Sequence, residues 1–328
     1  MTQTIVRDHA GSADPSGAPT GQGVGAPRRR LGIPLALQIG AMIGIGALLY
    51  SSAADWFATL NHDSQISGYL DSVEQLPDHE REAELQLARD YNAHMPQGVL
   101  RDPYSAPAEQ NERDAAYRAY EEVLRVSDNG VIGDLAYPRL GIGLPLYHGT
   151  SDEVLAKGVG HLYGSSLPVG GPSTHSVLTS HSGLLKASLF TPLPGARIGD
   201  TFQVTVLGET HYYEVDRIDT VEPEQTEGLR IVHGEDYVTL ITCTPIGINS
   251  HRLLVRGVRV DAPTSDDGRA LAGDGRTAGF PWWAVGFAGG SAAVAWVLFA
   301  PPSGRRRQRR QADGTSAKAS GTTGEAGE

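Results

Sequence analysis

The chain alternates between long uncharged runs, helical stripes and short segments of strand-like alternation. Residues 31–50, LGIPLALQIGAMIGIGALLY, carry no charge over 20 consecutive positions. At about 1.5 Å of rise per residue such a helix is about 30 Å long, the thickness of a bilayer's hydrocarbon core. A second uncharged run, residues 280–300, covers 21 positions and opens on Trp282 and Trp283, as an aromatic belt at a membrane interface would. Residues 65–95 show helical spacing interrupted by Pro77. Asp78 is positioned to cap a second helix with Leu85, Ala88 and Tyr91 on one face. Residues 108–126 put Ala116, Tyr117, Tyr120, Val123 and Leu124 on one stripe, and RDPYSAP at 101–107 is a loop by its two prolines. From about residue 131 the pattern changes to strand candidates at 134–140, 144–147, 174–180, 201–207, 211–219, 237–243 and 252–260. Gly208-Glu209-Thr210 reads as a hairpin link. Many short strands with no regular helix between them predict a β-barrel or sandwich, with the helical residues 65–126 as its appendage.

Charge sharpens this picture. The chain has 328 residues with 27 Lys plus Arg against 38 Asp plus Glu, a net −11. Residues 1–30 are net +2 and residues 301–328 net +3, so the stretch between them carries −16. So acidic a chain is a poor binder of nucleic acid, and no nucleic-acid partner is expected. Arg28, Arg29 and Arg30 precede the first run; Arg305, Arg306, Arg307, Arg309 and Arg310 follow the second. Arginines on both outer flanks predict a two-pass membrane protein with both termini cytoplasmic and residues 51–279 outside. The alternative for the first run is a cleavable signal peptide ending near Ser52-Ala53-Ala54. Residues 1–30 and 301–328 read as disordered tails and 262–279 as a juxtamembrane linker.

One cysteine in the chain excludes an internal disulfide and any multi-cysteine metal site. An unpaired thiol outside the membrane is a liability unless it is used. Cys243 ends the run YVTLITC, and Thr244-Pro245 breaks the strand after it. It is either a nucleophile at a strand end or a buried, inert side chain. A nucleophile needs a proton-transfer partner and an oxyanion donor. Ten histidines lie in the exterior stretch, and composition cannot choose among them. His181 follows the apolar run HSVLTS and so lies at a strand end. Arg252 opens the strand after the loop CTPIGINSHR, so Cys243 and Arg252 emerge at one sheet edge if those strands are neighbours. Glu222, Glu224 and Glu227 read as solvated loop carboxylates, and neither a metal nor a cofactor is expected.

Three blocks resemble the sortase family. TLITCTPIGINSHRLLVRG, residues 239–257, resembles its active-site block. GHLYGSSLPVGGPSTHSVLTSHSGL, residues 160–184, resembles the block carrying its histidine. PRLGIGLPLYHGTSDEVLAKGVGHLYGSS, from residue 138, resembles the upstream part of the domain. The closer resemblance is to class C, the pilin-polymerising sortases, on two membrane segments, a helical extension and an Asp-Pro-aromatic lid motif. The sequence departs from the family pattern at Ser182, Leu185, Ile246 and Ser250, and Tyr104 replaces a commoner Trp or Phe.

The resemblance implies a mainly-β fold, a sortase-like eight-stranded β-barrel at 131–261. A helical extension at 51–130 with a lid loop at 101–107 would precede it, and transmembrane helices at 31–50 and 280–300 would flank it. It implies Cys243 as nucleophile, His181 as acid and base, and Arg252 as oxyanion donor. Asp102, Pro103 and Tyr104 would form the lid, Asp102 pairing with Arg252 and Tyr104 lying over Cys243. Thr242, Thr179 and Ser180 would line the substrate groove. The implied reaction is cleavage of a Leu-Pro-x-Thr-Gly-like sorting signal between Thr and Gly, then transfer to a lysine amine of a pilin subunit. The partners would be pilins or surface proteins bearing that signal, and the bilayer. The rivals are a sortase anchoring proteins to peptidoglycan, a cell-wall L,D-transpeptidase, and a non-enzymatic membrane-anchored surface protein. The L,D-transpeptidase fits less well, because eight residues separate Cys243 from Arg252.

Overall fold

The computed structural model describes residues 31–95, 100–104, 115–262 and 278–300. The expectations for both tails, for loop residues 105–107, for stripe residues 108–114 and for linker residues 263–277 fall outside these segments. By its internal contacts the chain divides into a large unit, Met42–Ala293, and a second unit made of the chain's two ends. Of that second unit, residues 31–41 and 294–300 are described, and they are helical or adjoin a helix.

The large unit is built on eight strands: β1 Val131–Tyr137, β2 Ile142–His148, β3 Val159–His161, β4 Thr174–Thr179, β5 Thr201–Val206, β6 Glu209–Val221, β7 Asp236–Thr244 and β8 His251–Val260. They close into a barrel in the order β1-β2-β3-β4-β7-β8-β6-β5. The β2–β3 and β4–β7 pairs are parallel and the others antiparallel. The eight-stranded barrel implied by the resemblance is therefore the observed fold. β3 was absent from the strand candidates because three residues, Val-Gly-His, carry too short an alternation to detect. The candidate at 134–140 is displaced: β1 starts at Val131, and Pro138, which has no N–H for the ladder, turns the chain after Tyr137. The β5–β6 turn is Leu207-Gly208, and Glu209 already pairs with Val206.

Helix α1, Gly32–Gln75, is one continuous element of 44 residues. The sequence reading ended a helix at residue 50 and began another at 65. No glycine or proline occurs between Ser51 and Ser67, so nothing breaks the helix until Pro77. α2 is Asp78–His94 and α3 Ala115–Glu122. Asp78 does not act as the cap. It is the first helical residue, Pro77 takes the capping position, and no side chain caps the end. A short α4, Asp152–Lys157, makes the β2–β3 crossover and is capped by the Ser151 hydroxyl, which accepts from Val154 N. α5 is Trp282–Phe299. α1 and α5 are the two described helices long and apolar enough to cross a membrane, judged by length and composition.

The helices are more than an appendage. Tyr69, Val73, Leu85, Ala88, Tyr117, Tyr120 and Leu124 are buried in the same cluster as barrel residues Leu135, Leu178, Val238, Leu240 and Val255. The Tyr69 hydroxyl donates to Ile132 O at 3.0 Å and accepts from Leu207 N at 2.8 Å. α1 thus runs along the barrel. Asp55 Oδ1 accepts from Ser188 N at 2.7 Å, Gln65 O accepts from Asn129 at 2.9 Å, and Val73 lies beside the β5–β6 turn at Gly208.

A second apolar cluster lies on the other side of the sheet from the main core. Because side chains alternate along a strand, Val238 and Leu240 enter the main core while Ile241 joins Val177 and Leu254 on the opposite face. Leu162 and Leu229 complete that cluster, and Leu100 and Tyr104 pack over it. This face leads along β4, β7 and β8 to Cys243.

Candidate active site

β7 and β8 pair antiparallel with Cys243 directly opposite Arg252. Their side chains therefore share one face of the sheet, the face of the second cluster. β4 and β7 run parallel, their register ending at Thr179 opposite Ile241. Two residues further along each chain stand His181 and Cys243. Hydroxyls carry this alignment beyond the strand end. Thr242 Oγ1 donates to Ser180 O at 2.9 Å, and Ser182 Oγ donates to Cys243 O at 2.9 Å. Phe190 N donates to His181 O at 3.0 Å. Three residues from distant parts of the sequence are thus brought to one end of the barrel.

The segment 100–104 covers them. Asp102 meets Arg252 with both oxygens: Arg252 Nε donates to Oδ1 at 2.7 Å and Nη2 to Oδ2 at 2.8 Å. Such a planar fork on a carboxylate is a strong, directional pair. Arg252 Nη1 donates to Asn249 O and His251 O at 3.0 and 3.2 Å. Four of its five N–H groups are therefore committed. The Tyr104 hydroxyl donates to Ser180 O at 2.7 Å and accepts from Thr179 Oγ1 at 2.7 Å. Its ring lies 5.8 Å from the His181 ring and 4.9 Å from the Arg252 guanidinium. With this cover in place Cys243 and Arg252 are each 8% exposed and Asp102 7%. Pro103 sets the turn between the two contacts.

The remaining expected groove residues are held in structural bonds. Thr242 and Ser180 are fully buried, and the Ser180 hydroxyl donates to Gly158 O at 2.6 Å. Thr179 touches the cover through its hydroxyl and Ser180 through its carbonyl, both at Tyr104. Sequence reasoning did not assign Ser182, Asp152 or Asp55. Ser182 was noted only as a departure from the family pattern, yet its hydroxyl fixes the Cys243 carbonyl. Gly183, at φ +74°, is required because a Cβ there would collide with Ile246.

Electrostatics set the protonation states. Burial pushes the Cys243 thiol above its ordinary range; Arg252 pulls it down and Asp102 pushes it up. Burial pushes His181 below its ordinary range, opposed by the charge of Asp152. Both directions favour the neutral forms, a thiol at Cys243 and an uncharged imidazole at His181, while the site is covered. Among the described residues no group of three or more His, Cys, Asp or Glu side chains could hold a metal ion. A cleft of about 530 Å³ lies near the start of β4 and β6 and the end of β8, lined by Arg89, His211 and Arg259 among others. It is at the other end of the barrel from Cys243.

Comparison with known proteins meets this geometry. Residues 135–260 match the sortase domain family. The crystal structure of sortase C-1 from Actinomyces oris is 46% identical, covers 55% of this chain and 99% of its own, and superposes with a TM-score of 0.53. Sortase C from Streptococcus pneumoniae, a structure described for its catalysis and pilin substrate specificity, is 41% identical. It covers 60% of this chain and 96% of its own, with a TM-score of 0.53. Sortase A from Streptococcus agalactiae serotype III (strain NEM316) is 32% identical over 117 residues, 35% of this chain and 47% of that protein. The chain spans between 47% and 63% of the length of the curated relatives it matches. A closed eight-stranded barrel, the matched domain and near-complete coverage of a structure 46% identical lead to one conclusion: this chain belongs to the sortase family.

Proposed function

We propose that the protein is a membrane-anchored cysteine transpeptidase of pilus assembly. The observation that carries this reading is the cross-strand pairing of Cys243 with Arg252, with His181 aligned beside them at the same sheet edge. Cys243 is the nucleophile, His181 the acid and base, and Arg252 the oxyanion donor. His181 takes the thiol proton as Cys243 Sγ attacks the Thr carbonyl of a Leu-Pro-x-Thr-Gly-like signal. Arg252 donates to the oxygen that becomes negative. The Thr–Gly bond breaks, the Gly amine leaves with the proton from His181, and a thioester remains. A lysine amine of a pilin subunit then attacks the thioester. His181 accepts its proton, an isopeptide bond forms, and the Cys243 sulfur is released.

Asp102, Pro103 and Tyr104 act as the lid. With Asp102 holding its fork Arg252 has one N–H left for an oxyanion, so lid displacement precedes chemistry. Thr179, Ser180 and Thr242 shape the groove by fixing its backbone and the lid. The arginine clusters outside both spans support cytoplasmic termini and an external barrel. The pilin specificity described for the S. pneumoniae relative supports a pilin acceptor for this one.

The test is intact mass after mixing the full chain, carrying Asp102→Ala and Tyr104→Ala, with a Leu-Pro-x-Thr-Gly peptide. A gain equal to the peptide minus its Gly-containing fragment is expected, and none with Cys243→Ala added. Adding a pilin domain should then discharge the adduct onto a lysine. Discharge only by a cross-bridge amine would move the protein to peptidoglycan anchoring. No adduct with a freely alkylated Cys243 would reject the signal.

A further inference from the structure

Six large apolar side chains of the barrel, residues 131–260, are exposed among the described residues: Leu184, Leu185, Ile198, Val232, Ile246 and Ile248. Five of the six lie in loops at the Cys243 end. Only Val232, before the start of β7, lies at the other. Leu185 and Ile248 are each 72% exposed. Their two loops touch, since Gly183 lies against Ile246. Single exposed apolar residues are ordinary, but a cluster confined to one end of a domain asks for something to cover it.

The route of α1 identifies the cover. Asp55 holds Ser188, in the loop carrying Leu184 and Leu185, at 2.7 Å. Asp55 is five residues beyond Tyr50, the end of the uncharged run, or about 7.5 Å along the helix. Trp56, Phe57 and Trp283 cluster one residue further, their ring centroids 5.0 to 6.2 Å apart. Trp56 Nε1 also donates to Gly279 O at 3.0 Å. Aromatic side chains of this kind mark the headgroup level. From Asp55, α1 climbs the barrel to Val73 at the β5–β6 turn, about 27 Å away. The Cys243 end is therefore the end beside the bilayer. Lys186 and Arg197 are exposed in the same loops and can reach lipid phosphates over apolar stems. The β6–β7 connection leaves the barrel at the same end, since Val221 pairs with Arg252, but its exposed Glu222, Glu224 and Glu227 have the opposite character, so the docked part of the rim is confined to the loops after β4 and β7.

We infer that the loops 183–186 and 246–248 dock into the headgroup layer of the bilayer, so that the site opens at the membrane surface. This rests on the reading of α1 and α5 as membrane-spanning. A substrate still held in the bilayer by an apolar segment would then present its signal at the height of Cys243.

The experiment places nitroxide labels on single cysteines in the full chain with Cys243→Ser, reconstituted in phosphatidylcholine–phosphatidylglycerol bilayers. The sites are Leu185, Ile248, Val232 and Leu48, all exposed. Oxygen partitions into lipid and a charged nickel chelate stays in water, so their relative collision rates report depth. The expected result is an oxygen-to-nickel ratio several-fold higher at 185 and 248 than at 232, approaching that at 48. Equal ratios at 185, 248 and 232 beside a lipid-like 48 would overturn the docking alone. This holds also if a sorting peptide or second protein then shields 185, which would make that the occupant. A water-like 48 would overturn the spanning reading and the docking with it.

Discussion

The Cys243 thiol lies between opposed charges. Arg252 favours the thiolate, while burial and Asp102 oppose it. Asp102→Asn removes the opposing charge and half of the clamp on Arg252, so the thiol should titrate at lower pH. Alkylation at neutral pH should accelerate several-fold, read as rate against pH; an unchanged profile would mean that Asp102 does not hold the site down. Arg252→Lys keeps the charge but loses the two-point fork. It should loosen the cover as Asp102→Asn does, yet depress acyl transfer far below wild type. At this scale the Cys243–Arg252 pair was legible, because two strands joined by one short loop pair in a register that the loop centre dictates. His181 could be placed only at a strand end. Its alignment depends on a parallel pair between strands 62 residues apart, which no local pattern encodes. Ser182 was visible as a letter, but its bond to the Cys243 carbonyl was not.

Helix α3 is held to the barrel through the buried His161 and the half-buried His148. The Tyr120 hydroxyl meets His161 Nδ1 at 2.7 Å and accepts from Gly149 N at 3.2 Å, and the Tyr120 ring lies 4.4 Å from that of His148. Tyr120→Phe would leave these buried groups unsatisfied and should cost about 1–3 kcal/mol, read as a lower thermal midpoint. Burial lowers His148 to about 4 and His161 to about 3. Below their ordinary value of 6.5 the unfolded chain takes up protons that the folded chain refuses, so stability falls as pH drops from 6.5 towards 4. Hydrogen-exchange protection in α3, taken relative to the intrinsic rate at each pH, should fall over that window, and a flat profile would show that these histidines are not held neutral. The stripe at Tyr117, Tyr120 and Leu124 was legible from its spacing. The unbroken α1 was not, because a change from apolar to mixed composition looks like a boundary even where the backbone has no reason to stop.

At the scale of the molecule, α1 and α5 pack within the large unit through small residues. A Cβ added to Gly286 would lie 3.6 Å from Leu49, and one on Gly290 3.2 Å from Ile45. This spacing of glycines lets helix backbones approach closely in lipid. Gly290→Leu should wedge the pair apart and reduce disulfide trapping between cysteines placed at 49 and 286, on a Cys243→Ser background; undiminished trapping would mean that the contact tolerates bulk. The two long apolar helices and the barrel class were legible in uncharged run length, strand-like alternation and motif resemblance. Strand order was not, since a closed barrel with two parallel pairs is a global solution.

The β4–β7 pair carries a consequence for folding kinetics. Its partners are separated by the whole β5–β6 hairpin and the long connection after it, so its loop-closure entropy must be met before the pairing is rewarded. Until that late step the thiol has at most the Arg252 guanidinium beside it, brought by the local β7–β8 hairpin, and no imidazole. A half-folded chain therefore holds its sulfur without the imidazole, and the three side chains stand together only in molecules that have finished closing the barrel.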